Sequence, residues 1–358
     1  MIEKKNTNKR LLTNVAMVRP ILILLLVFYH AFAIYSGAWA PIEGYPEIRA
    51  YWWLDKLSFA FLLEMFVFIS GYVFGYQVRT IGERKLEAKS FFCSKTKRLI
   101  VPCILFSILY FLIFGDIRQP ISTSLYEVIS GVGHLWFLPM LFWCFAGVWL
   151  IEKLRIKEQI ALPLLLFLSL CSFVPLPIQM NLAMYYMLFF YVGYILQKKD
   201  VELEHFYKPS YVVVLSVLFL ILFPVLTIYV SNSEKVIQTG GGYFTDSIMI
   251  RILRYASLNL SRLIYSSVGL ATFLLAIGCV EKKRSRDLNQ LIVSFGEMSM
   301  GIYLLQQFIL KVIYNFSELP YLLGANWLPW FGFVVTLIVS TILVYLMRLT
   351  KFGRYLIG

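Results

Sequence analysis

The chain has 358 residues, of which 59% are hydrophobic and 15% are charged, and its formal net charge is +13. A soluble domain needs roughly a quarter of its residues charged to cover its surface, and no long polar stretch is present to build a soluble core. These features exclude a soluble protein. In a membrane protein, basic residues collect in cytoplasmic loops, and no basic stripe occurs outside such loops, which argues against nucleic-acid binding.

The N-terminal segment 1–16 is basic and precedes an apolar run from Val18 to Ile34, an arrangement similar to a signal peptide. The apolar core of a signal peptide has only about 7–15 residues, and this run is longer. Cleavage after Ala40 would also place Pro41 at the new N-terminus, which is unfavourable. We therefore predict that the run is retained as the first transmembrane helix.

Ten apolar segments follow one another along the chain, and most approach the roughly 20 residues needed to cross a bilayer. The third, fifth and sixth are short and would be tilted, broken at prolines or extended into the interface. We predict an all-α, polytopic integral membrane protein with about ten transmembrane helices in a single domain over residues 1–358, with nine or eleven helices as the alternatives. The segments are 17–37, 57–77, 99–115, 132–151, 159–175, 182–197, 209–231, 257–280, 291–314 and 329–347.

The distribution of basic residues predicts the orientation. If the N-terminus is cytoplasmic, 25 of the 33 Lys and Arg residues fall in the cytoplasmic segments. This asymmetry follows the positive-inside rule and would be scrambled by a miscounted helix. Both termini are therefore predicted to be cytoplasmic. No internal repeat is visible, which weakens the case for transporter folds built from duplicated halves.

The first predicted outer segment, 38–56, is rich in aromatic residues and contains Trp39, Trp52 and Trp53. Aromatic side chains at this depth typically anchor a protein at the membrane interface. The alternative is a stacking platform for sugar rings outside the cell.

The first helix carries two basic groups, and charges inside a membrane are rarely kept without a function. Arg19 and His30 are eleven residues apart, which places them on one helix face and roughly 16 Å apart along its axis. With Arg19 at the cytoplasmic edge, His30 lies near the bilayer centre. This arrangement suits an anionic ligand with a long neutral arm, and imidazole is the usual general acid or base near neutral pH. The alternative is a structural histidine that hydrogen-bonds between helices.

A basic cluster, Lys95-Thr96-Lys97-Arg98, precedes the third helix. Lys95 and Arg98 are three residues apart and would share a helix face. Two cations together at the inner surface would bind phosphates. The alternative is a topology signal or a contact with anionic lipids.

Further polar residues interrupt the apolar segments. Glu64 should face the bundle interior as a proton relay, a partner for a basic residue or a structural hydrogen-bonding group. His134, with Trp136 close by, stands at the outer end of the fourth helix, where it would touch an external acceptor or serve a structural role. Arg262 is expected to snorkel at a helix end, and His205 lies in a polar loop without a predicted role. No hydrolase elbow, nucleotide-binding loop or zinc signature is present, so no metal is predicted.

Five short motifs together resemble the bacterial membrane acyltransferases of family 3, which O-acylate lipopolysaccharide, peptidoglycan and exopolysaccharides. Each motif alone is weak, but the five occur in the family's order from helix 1 to helix 9. The motifs are the ten-residue spacing between Arg19 and His30, Phe66–Tyr72, Lys95–Arg98 followed by Pro102, His134–Leu138, and Ser299–Leu305.

The resemblance implies an acyl-CoA donor, in the first place acetyl-CoA, that enters from the cytoplasm with Arg19, Lys95 and Arg98 near its phosphates. It implies that His30 acts as the base on an acceptor hydroxyl or as a relay during transfer across the bilayer. The implied acceptor is a glycan or glycolipid, and the implied location is the bacterial inner (cytoplasmic) membrane. Two positions depart from the family pattern. Gln306 stands where members often carry histidine, and Lys95 replaces an arginine and lacks its bidentate geometry.

Two rival functions stay open at this point. A proton-coupled transporter or flippase for glycans or lipids would use His30 and Glu64 as proton-coupling groups. A scaffold within a polysaccharide-export complex would have no turnover. Vectorial proton coupling would support the transporter, whereas acyl transfer or thioester hydrolysis would support the enzyme.

Overall fold

A computed structural model describes residues 2–115, 121–201, 203–238, 247–283 and 290–357. The protein is 86% helical, and no strand occurs in the described ranges, which confirms the all-α prediction. Each of the ten apolar segments coincides with or overlaps a helix. The helices are α1 (Ile2–Ser36), α2 (Arg49–Phe59), α3 (Leu62–Ile81), α4 (Ala88–Lys95), α5 (Val101–Phe114), α6 (Ile121–Ser130), α7 (Phe137–Lys153), α8 (Glu158–Leu170), α9 (Met180–Lys198), α10 (Pro209–Gln238), α11 (Ile248–Lys283), α12 (Gln290–Asn315), α13 (Leu319–Leu349) and α14 (Lys351–Ile357).

Within the described residues, seven stretches of helix are long and apolar enough to cross a membrane. The apolar helix α8, with 13 residues, is shorter than each of these seven stretches. The chain is therefore a multi-pass membrane protein, as predicted, whereas the count of ten spans and the cytoplasmic position of both termini stay predictions. The seven stretches are Met17–Ser36, Arg49–Ile81, Ala88–Phe114, Gly133–Lys153, Pro209–Ile237, Ile248–Val280 and Leu319–Leu349.

The first predicted outer segment is only partly a loop. Its second half belongs to α2, which leads almost directly into α3. The sequence analysis began the second transmembrane segment at residue 57, because Arg49, Asp55 and Lys56 lower the local hydropathy. The helix nevertheless forms there, and the rings of Tyr51 and Phe59 pack on Phe32 and Tyr29 of α1.

The chain forms two compact units, described separately below. Unit one consists of residues 1–62 and 280–358, and unit two consists of residues 63–279. The single domain expected from the sequence stays a prediction.

In unit one, aromatic contacts define the direction of α13 against α1. The ring of Phe28 packs edge-on against Trp330 and Phe333, with centroids 5.8 and 5.5 Å apart. Seven residues later, the Tyr35 hydroxyl donates a hydrogen bond to the carbonyl of Ala325. Rising residue numbers on α1 meet falling numbers on α13, so the two helices are antiparallel.

The contacts of α12 complete the arrangement of unit one. Gly301 lies against Val344, and Gly332 lies against Tyr314, so α12 and α13 are also antiparallel. It follows that α1 and α12 run parallel to each other. The Tyr314 hydroxyl donates a hydrogen bond to the carbonyl of Ala31 at 2.6 Å, which defines the register of α12 against α1. A hydrophobic core lies where the three helices meet, and its buried members are Ala31, Phe32, Ile34, Leu310, Ile313, Tyr314 and Leu328.

In unit two, α3 and α9 pack with their backbones in close contact. Gly71 and Gly75 on α3 lie directly against the backbone carbonyls of Phe190 and Tyr194 on α9. In return, Gly193 of α9 lies against the backbone of α3. Small residues four apart allow this approach between helices in a membrane.

Candidate functional site

His30 is buried on α1 and is only 7% exposed. The centroid of its ring lies 4.9 Å from that of Tyr29 and 6.2 Å from that of Trp39. Trp39 follows the end of α1 and packs edge-on against Tyr314 of α12. The imidazole therefore lies among aromatic rings, in surroundings where charges are weakly screened.

Arg19 lies on the same uninterrupted helix as His30, as predicted. Eleven residues of α-helix separate the two positions by roughly 16 Å along the axis. Arg19 is half-buried, and it is followed within the helix by Pro20, which cannot donate a backbone hydrogen bond. The geometry expected for a cation and an imidazole on one helix is thus present, while their roles stay predictions.

A buried carboxylate on α2 was missed by the sequence analysis, which placed it in an outer loop. Asp55 is 0% exposed, and the Ser36 hydroxyl of α1 lies within hydrogen-bonding reach of its carboxylate. It lies on the helix face that carries Tyr51 and Phe59, whose rings pack on Phe32 and Tyr29 of α1. The four-residue spacing of an aromatic, an acidic and an aromatic residue is the signal that would have located this face.

Gln306 on α12 is a second buried polar group of unit one. It is 0% exposed, and neither amide atom has a hydrogen-bond partner within the part of the chain that is described. Tyr314, eight residues further along α12, contacts Ala31 of α1. Because α1 and α12 run parallel, Gln306 lies at a height along the helices between those of Arg19 and His30. An amide donates and accepts hydrogen bonds but does not exchange protons near neutral pH. Acid–base chemistry at this level therefore depends on other residues.

In unit two, the basic cluster lies on a π-helical turn, Thr96–Ile100, between α4 and α5. The prediction that Lys95 and Arg98 share a face assumed α-helical geometry, and a π turn has a different angular spacing. Arg98 is exposed, whereas Lys95 is half-buried. π turns occur frequently at functional sites, which keeps the cluster a candidate.

The Lys95 ammonium lies within an aromatic cage. It is placed over the ring faces of Phe145, Phe74 and Phe91, at 3.5, 5.2 and 5.9 Å from their centroids. Cation–π attraction is stronger where the cation is desolvated. The cage thus holds the Lys95 side-chain nitrogen at a defined place over three phenylalanine rings.

Glu64 belongs to a polar network in unit two. It is 6% exposed and accepts a hydrogen bond from the Tyr185 hydroxyl at 3.3 Å. Arg262 of α11 forms an ion pair with Glu234 of α10 and interacts electrostatically with both Glu64 and Tyr185. Arg262 is therefore paired within the protein rather than only extended toward the headgroups. Sequence reasoning had not connected these residues, because they come from four different helices.

His134 and Trp136 lie on a short 3-10 turn, Gly133–Trp136, that leads into α7. His134 is 5% exposed, and the Trp136 ring lies near Tyr186, with centroids 6.4 Å apart. Gly131, which precedes the turn, has φ +87° and lies against the backbone of Leu135. The histidine is thus part of a tightly packed turn. The candidate residues fall into two groups: Arg19 and His30 belong to unit one, and Lys95, Arg98, Glu64, His134 and Trp136 belong to unit two.

Comparison with known proteins decides the family. The model of the acyltransferase domain of family 3 matches residues 13–349. The chain belongs to this family. This acyltransferase is accordingly an enzyme that transfers acyl groups other than aminoacyl groups. No curated protein and no solved structure gives a significant match to it.

Membership confirms the resemblance stated for the sequence motifs, and the structure shows what two of them do in packing. In the Phe66–Tyr72 motif, Gly71 provides the close contact of α3 with α9. In the Ser299–Leu305 motif, Gly301 lies against Val344 of α13. Both glycines thus allow neighbouring helices to pack closely.

Proposed function

We propose that this acyltransferase moves an acyl group, in the first place acetyl, from cytoplasmic acyl-CoA to a hydroxyl of a cell-surface polysaccharide or glycolipid precursor. The observation that carries the proposal is the pairing of Arg19 and His30 on one continuous helix. A cation near the cytoplasmic edge suits the phosphates of the donor. A buried imidazole roughly 16 Å further along the helix suits its reactive thioester end.

The chemical step is an acyl transfer between sulfur and oxygen. The acceptor oxygen attacks the thioester carbonyl carbon, the new C–O bond forms, and the C–S bond breaks. His30 accepts the hydroxyl proton and passes it to the leaving sulfur of CoA, so that the products are an ester and a free thiol. A positioned general base of this kind contributes about 10²–10⁴-fold to rate. In the alternative form of the proposal, His30 relays the acyl group during transfer across the bilayer.

Basic groups at the inner surface would hold the donor. Arg19, Lys95 and Arg98 are proposed to contact its phosphates, since all three lie in segments that the basic-residue distribution assigns to the cytoplasmic side. The caged ammonium of Lys95 and the exposed guanidinium of Arg98 support this role. Arginine binds phosphate with two parallel hydrogen bonds, whereas lysine acts as a point charge.

The acceptor side is proposed to include Glu64, His134 and Trp136, as acceptor contacts or proton relays. Each lies in a buried or half-buried position on or before a membrane helix of unit two. The family's surface-glycan acceptors would place the enzyme in the bacterial cytoplasmic membrane. No metal is invoked, because thioester acylation of a hydroxyl needs a base and a bound donor.

The decisive experiment compares His30→Gln with His205→Gln in purified, folded protein. His30→Gln should lose acyl transfer from acetyl-CoA by at least a hundredfold, because glutamine keeps a polar side chain but cannot take up the proton. His205 lies in the exposed 3-10 turn Glu204–Phe206 and should tolerate the same change. Transfer is measured with radiolabelled acetyl-CoA and by mass spectrometry of surface glycans with and without the enzyme. A near wild-type rate for His30→Gln would make His30 structural.

A further inference from the structure

A polar stripe runs along α11 within unit two, and the proposed mechanism does not use it. Tyr255, Asn259, Arg262 and Ser266 follow one another at a spacing of three or four residues, so they lie on one face of the helix. Asn259 and Ser266 are buried, and Tyr255 and Arg262 are half-buried. Polar residues within membrane segments are costly and rarely kept without a function. The stripe is therefore a candidate binding surface.

The N-terminal half of the stripe packs α11 against the segment that follows α8. The Tyr255 ring stacks on that of Phe173, with centroids 5.4 Å apart. The Asn259 amide donates hydrogen bonds to the Ser172 hydroxyl at 3.0 Å and to the carbonyl of Leu170 at 3.1 Å. These contacts fix the position of α11 and thereby of the rest of its polar face.

The C-terminal half of the stripe leads to the Glu64 carboxylate. Arg262 forms an ion pair with Glu234 and interacts electrostatically with Glu64. The hydroxyls of Ser266 and Tyr185 both donate hydrogen bonds to the Glu64 carboxylate. The side chains of Arg262 and Glu234 are 38% and 39% exposed, whereas Glu64 is 6% exposed. This polar group therefore has an accessible end at the ion pair and a closed end at Glu64.

Aromatic rings lie beside the polar group. Tyr185 and Tyr186 meet edge to face with centroids 4.9 Å apart, and the Trp136 ring lies 6.4 Å from that of Tyr186. Tyr186 also interacts electrostatically with Arg262. Carboxylates and guanidinium groups can form two hydrogen bonds at once to neighbouring hydroxyls, and aromatic rings pack against the C–H faces of sugar rings. Aromatic surface with a few fixed polar groups is typical of small-molecule sites, and this combination suits a saccharide.

We propose that Glu64, Tyr185, Arg262 and Glu234 bind the acceptor of the acyltransferase, and that the bound sugar residue is neutral. The Arg262 guanidinium is already paired with Glu234, so an anionic sugar would gain little from it. Such a sugar would also bring its negative charge close to two carboxyl groups, in surroundings where charges are weakly screened. Hydroxyl groups can donate to the carboxylates and accept from the guanidinium. This inference rests on the proposed function and adds the chemical class of its acceptor.

A purely structural network makes a different prediction. If these residues only hold α3, α9, α10 and α11 together, Glu64→Gln and Arg262→Gln lower the unfolding temperature and leave the saccharide affinity of the folded protein unchanged. If they bind the acceptor, each change weakens saccharide binding about ten- to a hundredfold, as expected for the loss of a charged hydrogen bond, with the affinity for acetyl-CoA within twofold. Arg348→Gln is the matched control, because Arg348 is also half-buried and paired with a glutamate, Glu297, in unit one.

The test measures binding of disaccharides to the purified enzyme in lipid nanodiscs without acetyl-CoA, by titration with saturation-transfer NMR. The probes are cellobiose and chitobiose, which are neutral, and cellobiuronic acid, which is the acidic counterpart of cellobiose. Wild type and Arg348→Gln should bind a neutral probe in preference to the acidic one, and Glu64→Gln and Arg262→Gln should bind it at least about tenfold more weakly. Tyr185→Phe, which removes a single hydroxyl, takes the place of any variant that does not fold.

Three results would overturn the inference: no binding of either neutral probe, preference for the acidic probe, or unchanged affinity in the variants. Its failure is distinguishable from failure of the proposed function. If a neutral probe binds and the variants lose that binding, but no acyl group is transferred from radiolabelled acetyl-CoA, only the proposed function is refuted. If acyl transfer to a glycan proceeds with the wild-type KM for the glycan in Glu64→Gln and Arg262→Gln, the proposed function stands and this acceptor site is wrong.

Discussion

The contact between α3 and α9 gives a prediction that the structure makes quantitative. In Gly71→Ala, the added methyl group would lie 2.8 Å from the carbonyl carbon and 3.1 Å from the Cα of Phe190. Both are backbone atoms of a helix and cannot turn aside. The carbonyl oxygen of Phe190 would lie closer still, so the two helices must move apart until these atoms reach ordinary van der Waals contact, and such overpacking costs about 1–3 kcal/mol.

The same separation reaches the polar network of unit two. The hydrogen bond from Tyr185 to Glu64 joins these helices and is 3.3 Å long. An increase of a few tenths of an ångström takes it beyond the range in which an O–H···O contact is a hydrogen bond. Gly71→Ala should therefore lower the unfolding temperature by several degrees and weaken the Glu64–Tyr185 contact at the same time.

Gly147→Ala is the matched control for this prediction. The methyl group there would meet the terminal atoms of the Met187 side chain, which is flexible and can move away. Unfolding temperatures of both variants are measured in lipid nanodiscs by intrinsic tryptophan fluorescence. If Gly71→Ala is as stable as Gly147→Ala, the close backbone packing does not contribute to stability in the way argued here.

Two further predictions concern the donor site and the topology. Arg98→Ala should weaken acetyl-CoA binding about tenfold or more, since a charged hydrogen bond contributes about 1.5–3 kcal/mol. The control is Lys97→Ala, a change of an exposed neighbour, which should leave binding unchanged. If a binding titration gives equal losses for both variants, the cluster acts only as a general positive surface and Arg98 has no specific contact with the donor. Lys95→Ala should weaken binding and also lower the unfolding temperature, because the side chain packs on three phenylalanine rings. A reporter fused after residue 90 should read as cytoplasmic and one within 232–250 as external, and a cytoplasmic reading at residue 240 would contradict the ten-helix topology.

The features that the sequence predicts well depend on hydropathy and helical period. The membrane character, the all-α fold and the placement of Arg19 and His30 on one helix follow from apolar segment lengths and the 3.6-residue repeat. These properties are local, so they survive whatever the helices pack against. The family resemblance rested on five motifs that occur in order from the first to the ninth predicted helix, and the family match confirms it.

The features that the sequence did not predict depend on contacts between distant segments. Asp55 was read as part of a loop because its charge lowers the local hydropathy, yet the aromatic contacts of Tyr51 and Phe59 bury it as helix. The π turn after Lys95 shifts the hydrogen-bond ladder by one residue, and no residue type announces that shift. The network around Glu64 joins α3, α9, α10 and α11, which no periodicity in one segment could indicate.

The length of α1 has a mechanical consequence. Its 35 residues form a rod of about 52 Å at 1.5 Å per residue, against a hydrocarbon core of about 30 Å. One continuous helix therefore connects the basic N-terminal segment to Arg19 and His30. Within this helix, Pro20 is the position that bends most easily. A force applied to the N-terminal segment would be transmitted along α1, and the resulting displacement at His30 would depend on the stiffness of the helix at Pro20.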